Sequence, residues 1–483
     1  MMVHDLMRVL PGAYTNGPDR TFSALRADST RICAGDAFIA LMGSVTDGHL
    51  YIPEALHAGA GVIICNTDYA PDIKDATAIY VSDTKKALTL ILPMIYPMAS
   101  LVKLVGITGT NGKTTTTYLI ESVLHHAGVT PGVIGTINTR YPGFELSSPV
   151  TTPGPIDLFE LLGKMQLAGV KACIMEVSSH ALDQDRIAGL IFDYAVFTNL
   201  SQDHLDYHKD MESYFIAKKQ LFDQYLKGRA IINTDDPHGR KLSEGLSGPI
   251  TYGMPDTADI HPRDIISTPQ GITLRLMTPT GELTIRSLLR GEMNAYNIMA
   301  SVGVCQAMGI DNGYIVSGIE DLRVVPGRME AVENGYGLNI IIDFAHTPDA
   351  LLTALRSARQ FTKGRVLTVF GCGGDRDRTK RPIMGDIATK LSDFTIVTSD
   401  NPRTEDPLSI INDILKGINN SAKTAVEPDR AAAIKRAIES MSADDCLLIA
   451  GKGHENYQII GTKKRAFDDK TCVRQCLKEV YGQ

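Results

Sequence analysis

The sequence predicts an α/β protein of three units, and three observations carry that prediction. Short runs rich in Val, Ile and Leu alternate with helix-like segments, the wiring of mostly parallel sheets covered on both faces. Several runs end in polar clusters, and in open α/β sheets ligands sit at the carboxyl ends of strands. The third observation is Thr108 to Thr117, T-G-T-N-G-K-T-T-T-T, set between an apolar run, Leu101 to Ile107, and a helix-like segment, Tyr118 to Ala127.

That stretch reads as a phosphate loop for ATP. Gly109 and Gly112 let the backbone turn tightly and aim N–H groups inward, Lys113 supplies a point charge, and the Thr114 hydroxyl can reach a magnesium ion. The spacing G-x-x-x-x-G-K-[ST] would need glycine at 107, where the chain has Ile107; the glycine stands at 109 instead.

Bulk properties narrow the field. At 483 residues the chain has room for two to four domains of roughly 100–200 residues each. A net charge of −7 gives no general basic patch, which argues against a nucleic-acid partner. The eight cysteines form no C-x-x-C pair and several sit inside apolar runs, as expected for reduced thiols in a cytosolic protein. The N-terminus lacks the basic start and long apolar core of a signal peptide. The longest apolar run, near Leu90 to Val102, is broken by Pro93, Pro97 and Ser100, so no membrane insertion is expected.

Residues 1–100 form the first unit, with strand-like "GDAFIAL" and "GVIICN" around the helical "YIPEALHAG". It carries no acid–base set and reads as a binding domain. The turn-rich "MGSVTDGH" reads equally as its ligand-facing loop or as a solvated one. The second unit, 101–325, has strand candidates "LVKLVGIT", "VKACIMEV", "DYAVFTN" and "RAIIN", and helices expected at 113–127, 156–168, 211–226 and 292–308. Its polar clusters are G-T-N-G-K-T-T (109–115), E-V-S-S-H (176–180) and T-N-L-S-Q-D-H-L-D (198–206). A break near "RVVPGRME" (323–330) opens the third unit, 326–483, a doubly wound domain whose four apolar strands end in "DFAHTPDA", "GCGGDRD", "SDNPRTED" and "GKGHE".

Glu176, which ends a strand, and His204, which follows one, suit a second divalent ion beside a triphosphate, with Thr114 on the first, although His204 alone would read as a turn or cap histidine. Lys218 and Lys219 read by themselves as solvated lysines on an amphipathic helix. Asn294 and Asn297, at i,i+3, share a helix face and serve equally as adenosine contacts or as a polar face. Arg376, Arg403 and Glu455 together offer forked donors for a carboxylate and an acceptor for an ammonium, a pocket for a zwitterionic amino acid.

Taken in order, G-T-N-G-K-T-T, E-V-S-S-H, T-N-L-S-Q-D-H-L-D-Y-H, Asn-x-x-Asn, P-G-R-M-E, D-F-A-H-T-P-D-A, D-N-P-R and G-K-G-H-E resemble the Mur ligases from about Asp28 onward. The resemblance implies a uridine-nucleotide domain, a central P-loop ATPase-like domain and a Rossmann-like amino-acid domain. It implies ATP contacts from Gly109, Thr110, Asn111, Gly112, Lys113, Thr114, Thr115, Asn294, Asn297, Arg328 and Asp343. Ser29 and the loop Ser44, Val45 and Thr46 would meet the uridine nucleotide. Thr151, Thr152, Ser178, Gln184 and Arg186 would hold the muramoyl-dipeptide; Val150 stands where asparagine is usual.

It further implies that Lys218 is carbamylated, by addition of CO2, and joins Thr114, Glu176 and His204 around magnesium; Lys113, Lys218, Glu176 and His204 would be the catalytic set. Arg376, Asp400, Asn401, Pro402, Arg403, Gly451 and Glu455 would bind the incoming amino acid. The arginine of D-N-P-R marks the branch that adds meso-diaminopimelate, because it can pair the second carboxylate that lysine lacks. The expected activity is ATP-dependent addition of meso-diaminopimelate to UDP-MurNAc-L-Ala-D-Glu by a cytoplasmic monomer. A lysine-adding Mur ligase and a non-catalytic Mur-like binding protein are the alternatives.

Overall fold

The central sheet of eight strands carries the phosphate-loop stretch at its middle. In this computed structural model, which describes all residues except 44, 45, 70–72, 420 and 483, the strand Lys103–Thr108 lies between Phe192–Phe197 and Ala172–Glu176. All three run parallel, with Thr108 beside Phe197 and Ile107 beside Glu176. The chain passes from Lys103–Thr108 to Pro131–Ile134 on one side and later from Ala172–Glu176 to Phe192–Phe197 on the other, and at this reversal of direction a crevice opens at the shared carboxyl ends. Leu226–Asn233 and Ile250–Tyr252 extend one side in parallel; Pro131–Ile134 extends the other, followed by the antiparallel hairpin Asn138–Tyr141 and Phe144–Ser147.

The first sheet has five strands, ordered Tyr14–Asn16, Thr77–Val81, Val62–Asn66, Ala37–Ile39, Leu25–Arg26, antiparallel only at Tyr14–Asn16. The third has six, with Cys446–Ala450 between Asn339–Asp343 and Val366–Phe370, and is parallel except for the edge strand Glu330–Ala331. Strands buried on both faces, such as Val366–Phe370 and Cys446–Ala450, explain the unbroken apolar runs.

The expected helices appear as Lys113–His126, Pro155–Leu167 and Met293–Ala307, with one correction. The helix expected to reach 226 ends at Asp223, and Leu226 already opens the strand Leu226–Asn233. The Tyr225 carbonyl accepts from the Phe192 amide at 2.7 Å, so sheet pairing takes the chain one residue earlier. A three-stranded antiparallel sheet, His261–Thr268, Gly271–Thr278 and Gly281–Ser287, stands beside the central one without any sequence expectation of it. No helix among the described residues is long and apolar enough to cross a membrane.

Candidate functional site

The loop after Lys103–Thr108 is shaped by its glycines. Gly109 has φ +145°, and a Cβ there would lie 1.9 Å from Thr198 Oγ1; Gly112 has φ +87°, and a Cβ would lie 2.5 Å from Asn297 Oδ1. Only glycine meets both demands. The segment after Phe197 grips the loop: Thr110 N donates to the Asn199 carbonyl at 2.9 Å, Asn111 N to Asn199 Oδ1 at 2.9 Å, and Thr198 Oγ1 to the Asn111 carbonyl at 2.7 Å. The amides opening the helix Lys113–His126 therefore face the crevice, which suits phosphate.

Lys113 Nζ donates to the carbonyls of Gly109 and Thr110, both at 2.8 Å. Burial pulls its pKa down, opposed by Glu176. Lys218 Nζ donates to that same Gly109 carbonyl at 2.9 Å and sits 4.4 Å over the Tyr214 ring. Lys218 is buried, not solvated: it is 1% exposed, and burial together with the Lys113 charge takes its pKa well below the ordinary lysine value. Lys219, its neighbour, faces outward and pairs with Asp223.

Glu176 is buried at the end of its strand. Its carboxylate accepts from Thr114 Oγ1 at 3.0 Å, Thr136 N at 2.9 Å and Thr136 Oγ1 at 2.9 Å, while Arg328 Nη2 reaches Thr114 Oγ1 at 3.2 Å. Thr114 and Glu176 thus offer adjacent hard oxygens, which fit magnesium. Among the described residues no three His, Cys, Asp or Glu side chains cluster as a metal cage. His204, by contrast, is held by Asp203, with Nε2 3.3 Å from Oδ2. It caps the short helix Leu205–His208 at φ +55°, and burial lowers its pKa to about 3.

Two cavities meet at Asn111, Gly112 and Arg328. One, of about 780 Å³, is lined by Thr115, Asn294, Asn297 and Asp343, and by Tyr252, Met254 and Tyr296, which the sequence did not signal. Asn297 Nδ2 donates to Asn294 Oδ1 at 2.9 Å, and Asp343 Oδ2 accepts from Met329 N at 2.7 Å. The other, of about 550 Å³, brings Lys113, Thr114, Thr151, Glu176, Ser178 and His204 to face Arg376, Asp400, Asn401, Arg403, Gly451 and Glu455.

Behind that face Thr152 Oγ1 donates to the Glu176 carbonyl at 2.9 Å and accepts from Ser178 N at 3.1 Å. Arg186 Nη1 donates to the Thr152 carbonyl at 3.2 Å and Nη2 to Gln184 Oε1 at 2.7 Å. Ser29 and Thr46 line neither cavity, and Ser44 and Val45 lie outside the described residues.

At the third sheet, Asn401 Nδ2 donates to Glu455 Oε2 at 2.7 Å and Lys452 Nζ to the same oxygen at 3.1 Å. Asp400 Oδ2 is buried with no hydrogen-bond partner among the described residues, an acceptor beside Gly451, where a Cβ would come within 2.6 Å of it. Pro402 seats this turn, its carbonyl so close to Gly374 that a Cβ there would be 1.9 Å away. Arg403 Nη1 donates to the Gly374 carbonyl at 2.8 Å.

Asp203 carried no expectation from the sequence, although it lies in the same cluster as His204. Asp203 Oδ1 is 3.5 Å from Lys380 Nζ and Oδ2 3.8 Å from His346 Nε2, both from the third unit. Burial works against its charge, yet His204, Lys380 and His346 hold its carboxyl below the usual range. The signal was available in the D-H pair; what it lacked was the partner, 177 residues away.

Comparison with known proteins agrees with this layout. The Mur ligase middle domain matches residues 107–305, the Mur ligase glutamate ligase domain 327–453, and the catalytic domain of the Mur ligase family 21–93. The UDP-N-acetylmuramoyl-L-alanyl-D-glutamate–2,6-diaminopimelate ligase of Gloeobacter violaceus is 45% identical over 482 residues, covering 99% of this chain and 98% of that one. The Clostridium botulinum ligase of the same name is 41% identical, covering 99% and 100%. A solved structure of a ligase with this name superposes with TM-score 0.68 at 33% identity over 95% of each chain. The fold is shared also with the Thermotoga maritima MurF ligase in complex with ADP, TM-score 0.66 at 18% identity, covering 94% of this chain and 97% of that one. Identity at this level across nearly the whole length leaves one conclusion: the chain belongs to the Mur ligase family.

Proposed function

We propose that this chain is an ATP-dependent ligase joining meso-2,6-diaminopimelate to the D-glutamate γ-carboxylate of UDP-N-acetylmuramoyl-L-alanyl-D-glutamate, a cytoplasmic step of peptidoglycan precursor synthesis. The observation that carries the reading is the single cleft on which Lys113, Thr114 and Glu176 face Arg376, Arg403 and Glu455. The names of the full-length relatives support the same substrates. Residues 1–100 would hold the uridine nucleotide through Ser29 and the loop at 44–46, residues 101–325 ATP, and residues 326–483 the amino acid. Because one chain supplies both faces of the cleft, we take the working unit to be a monomer.

The larger cavity, with Asn294 and Asn297 on one wall and Asp343 on another, takes the adenosine. The loop amides and Lys113 take the phosphates, and Arg328 adds a guanidinium from the third unit. Thr114 and Glu176 would hold magnesium, whose charge, when it is bound, offsets that of the phosphates. Thr151, Thr152, Ser178, Gln184 and Arg186 orient the dipeptide so that its γ-carboxylate meets the γ-phosphoryl group in line. Lys113 then stabilises charge on the transferring oxygens. The acyl phosphate so formed is attacked by the amine of diaminopimelate, giving the amide and releasing phosphate.

No protein nucleophile is needed; the residues position the reactants and exclude water. Lys218 belongs to this scheme as its carbamate. Only a neutral amine attacks CO2, and the buried site beside Lys113 favours that form. The resulting anion would sit against Lys113 and help to order the metal site.

The experiment is phosphate release with each substrate omitted in turn, and mass analysis of the nucleotide product. The reading requires release only with ATP, the UDP-dipeptide and the amino acid together, and a tripeptide product. No release with any amino acid would instead favour a non-catalytic binding protein.

A further inference from the structure

Resting on that reading, the structure assigns a specificity role to a pair of residues that do not line the cleft. We propose that Arg381 and Glu405 are positioning residues. They fix the two loops that present Arg376 and Arg403, and so set the spacing of the guanidiniums for a substrate with a second carboxylate.

Arg381, in the first turn of the helix Lys380–Leu391, is fully buried. Its guanidinium makes a forked pair with Glu405, Nη2 to Oε1 at 2.8 Å and Nη1 to Oε2 at 3.0 Å. The same group donates to the Gly373 carbonyl at 3.3 Å and to Asp413 Oδ2 at 3.1 Å. It thereby touches both loops: Gly373 lies in the one carrying Arg376, and Glu405 follows Arg403 in the other. A planar fork in a buried pair allows little lateral play.

Glu405 extends the tie. Its Oε1 accepts from Asp375 N at 2.6 Å, and Arg378 Nη2 lies 2.9 Å from Oε2. Asp375 in turn accepts from Thr404 N at 3.1 Å and from Thr404 Oγ1 at 2.8 Å. Gly374 N donates to the Asn401 carbonyl at 2.9 Å. The residues next to or bearing the two guanidiniums, Asp375 at φ +53° and Arg403 at φ +51°, are both in the left-handed region that side chains resist.

Two features call for such a tie. Arg376 and Arg403 repel one another; after burial, the Arg376 charge is the largest influence lowering the Arg403 pKa. Both also sit on loops, where position must be enforced by contacts. Glu405 brings a negative charge to the rear of the cluster, and the Arg378 and Arg381 guanidiniums hold it in place. Loosening this support would let the guanidiniums separate while leaving the phosphate loop untouched.

The test is steady-state kinetics of Arg381→Lys, which keeps charge but not the fork, and Thr404→Val, an exposed site that loses only the hydroxyl bond to Asp375 and keeps the one from its backbone N. For Arg381→Lys, KM for meso-diaminopimelate should rise about ten- to hundredfold. KM for ATP and for the UDP-dipeptide should stay within about twofold, and kcat should fall far less than kcat/KM. Thr404→Val should shift the same parameter in the same direction by less. In both, the preference for diaminopimelate over L-lysine should shrink. An unchanged KM for diaminopimelate in both variants, with the wild type still discriminating, overturns this inference alone. A wild type that does not discriminate overturns the reading beneath it. A uniform loss across all three substrates would mean a merely structural role and also overturns it.

Discussion

Two lysines on one carbonyl oxygen are the residue-scale fact that most constrains the chemistry. Lys113 and Lys218 both donate to the Gly109 carbonyl, and burial of two like charges costs more than burial of one. Converting Lys218 to an anion would turn that repulsion into attraction. Lys218→Met should therefore lower kcat by at least about a hundredfold, and Lys218→Arg should not restore it, since a guanidinium stays cationic. Native mass analysis should show the carbon dioxide adduct on wild type and not on either variant. Wild-type turnover by Lys218→Arg would end the idea. His208 gives a second prediction. It is buried against Ser179, 2.9 Å away, and burial, then His180 and Lys218, lowers its pKa to about 4 from 6.5. The unfolded chain binds that proton more readily, so His208 subtracts stability as pH falls from about 6.5 to about 4. Thermal melting of His208→Gln should fall less steeply than wild type across that window; parallel curves would show that His208 does not contribute. Lys218 shows what a pattern conceals. Its helix carries polar residues on one face and apolar ones on the other, so a lysine there reads as solvated; its burial comes from Tyr214 and from the loop over a hundred residues away.

At the scale of elements, the strand–loop–helix around Lys113 was fully legible because each part has a local cause. An apolar run makes the central strand, paired glycines make the loop, and the following threonine-rich segment makes the helix. The shifted glycine spacing has a structural reason as well. Ile107 is buried within the strand, and the turn begins only after Thr108. Gly112→Ala follows as a test. Its Cβ would stand 2.5 Å from Asn297 Oδ1 at φ +87°, so the loop must shift against the helix bearing the asparagines. ATP affinity measured by titration calorimetry should fall by about tenfold or more, with roughly 1–3 kcal/mol lost at the strained position. Unchanged affinity would show that this contact does not shape the nucleotide site. The antiparallel sheet of 261–287 was not legible. Its strands alternate exposed and buried residues, as in Gly281–Ser287, a strand signal in itself that a search for unbroken apolar runs passes by. Their packing partner, the helix Asn312–Asp321, lies later in the chain.

For the whole molecule, the decisive relation is between units that no local pattern connects. Asp203 reaches Lys380 and His346, Asn111 Nδ2 reaches Asp349 Oδ2 at 2.9 Å, and Gln202 Nε2 reaches Thr379 Oγ1 at 3.1 Å. These contacts draw the third sheet over the phosphate loop and produce one cleft from two half-sites. Sequence motifs marked each half; only the assembled chain shows that Arg376, Arg403 and Glu455 face Lys113 and Glu176. That arrangement predicts a preference, because guanidiniums paired with the distal carboxylate of diaminopimelate would meet an ammonium if lysine were bound. The most direct measurement is kcat/KM for meso-diaminopimelate against L-lysine, with ATP and the UDP-dipeptide saturating. With Arg376 and Arg403 set for a second carboxylate, a ratio of at least about a hundredfold in favour of diaminopimelate is expected; equal values would contradict that role.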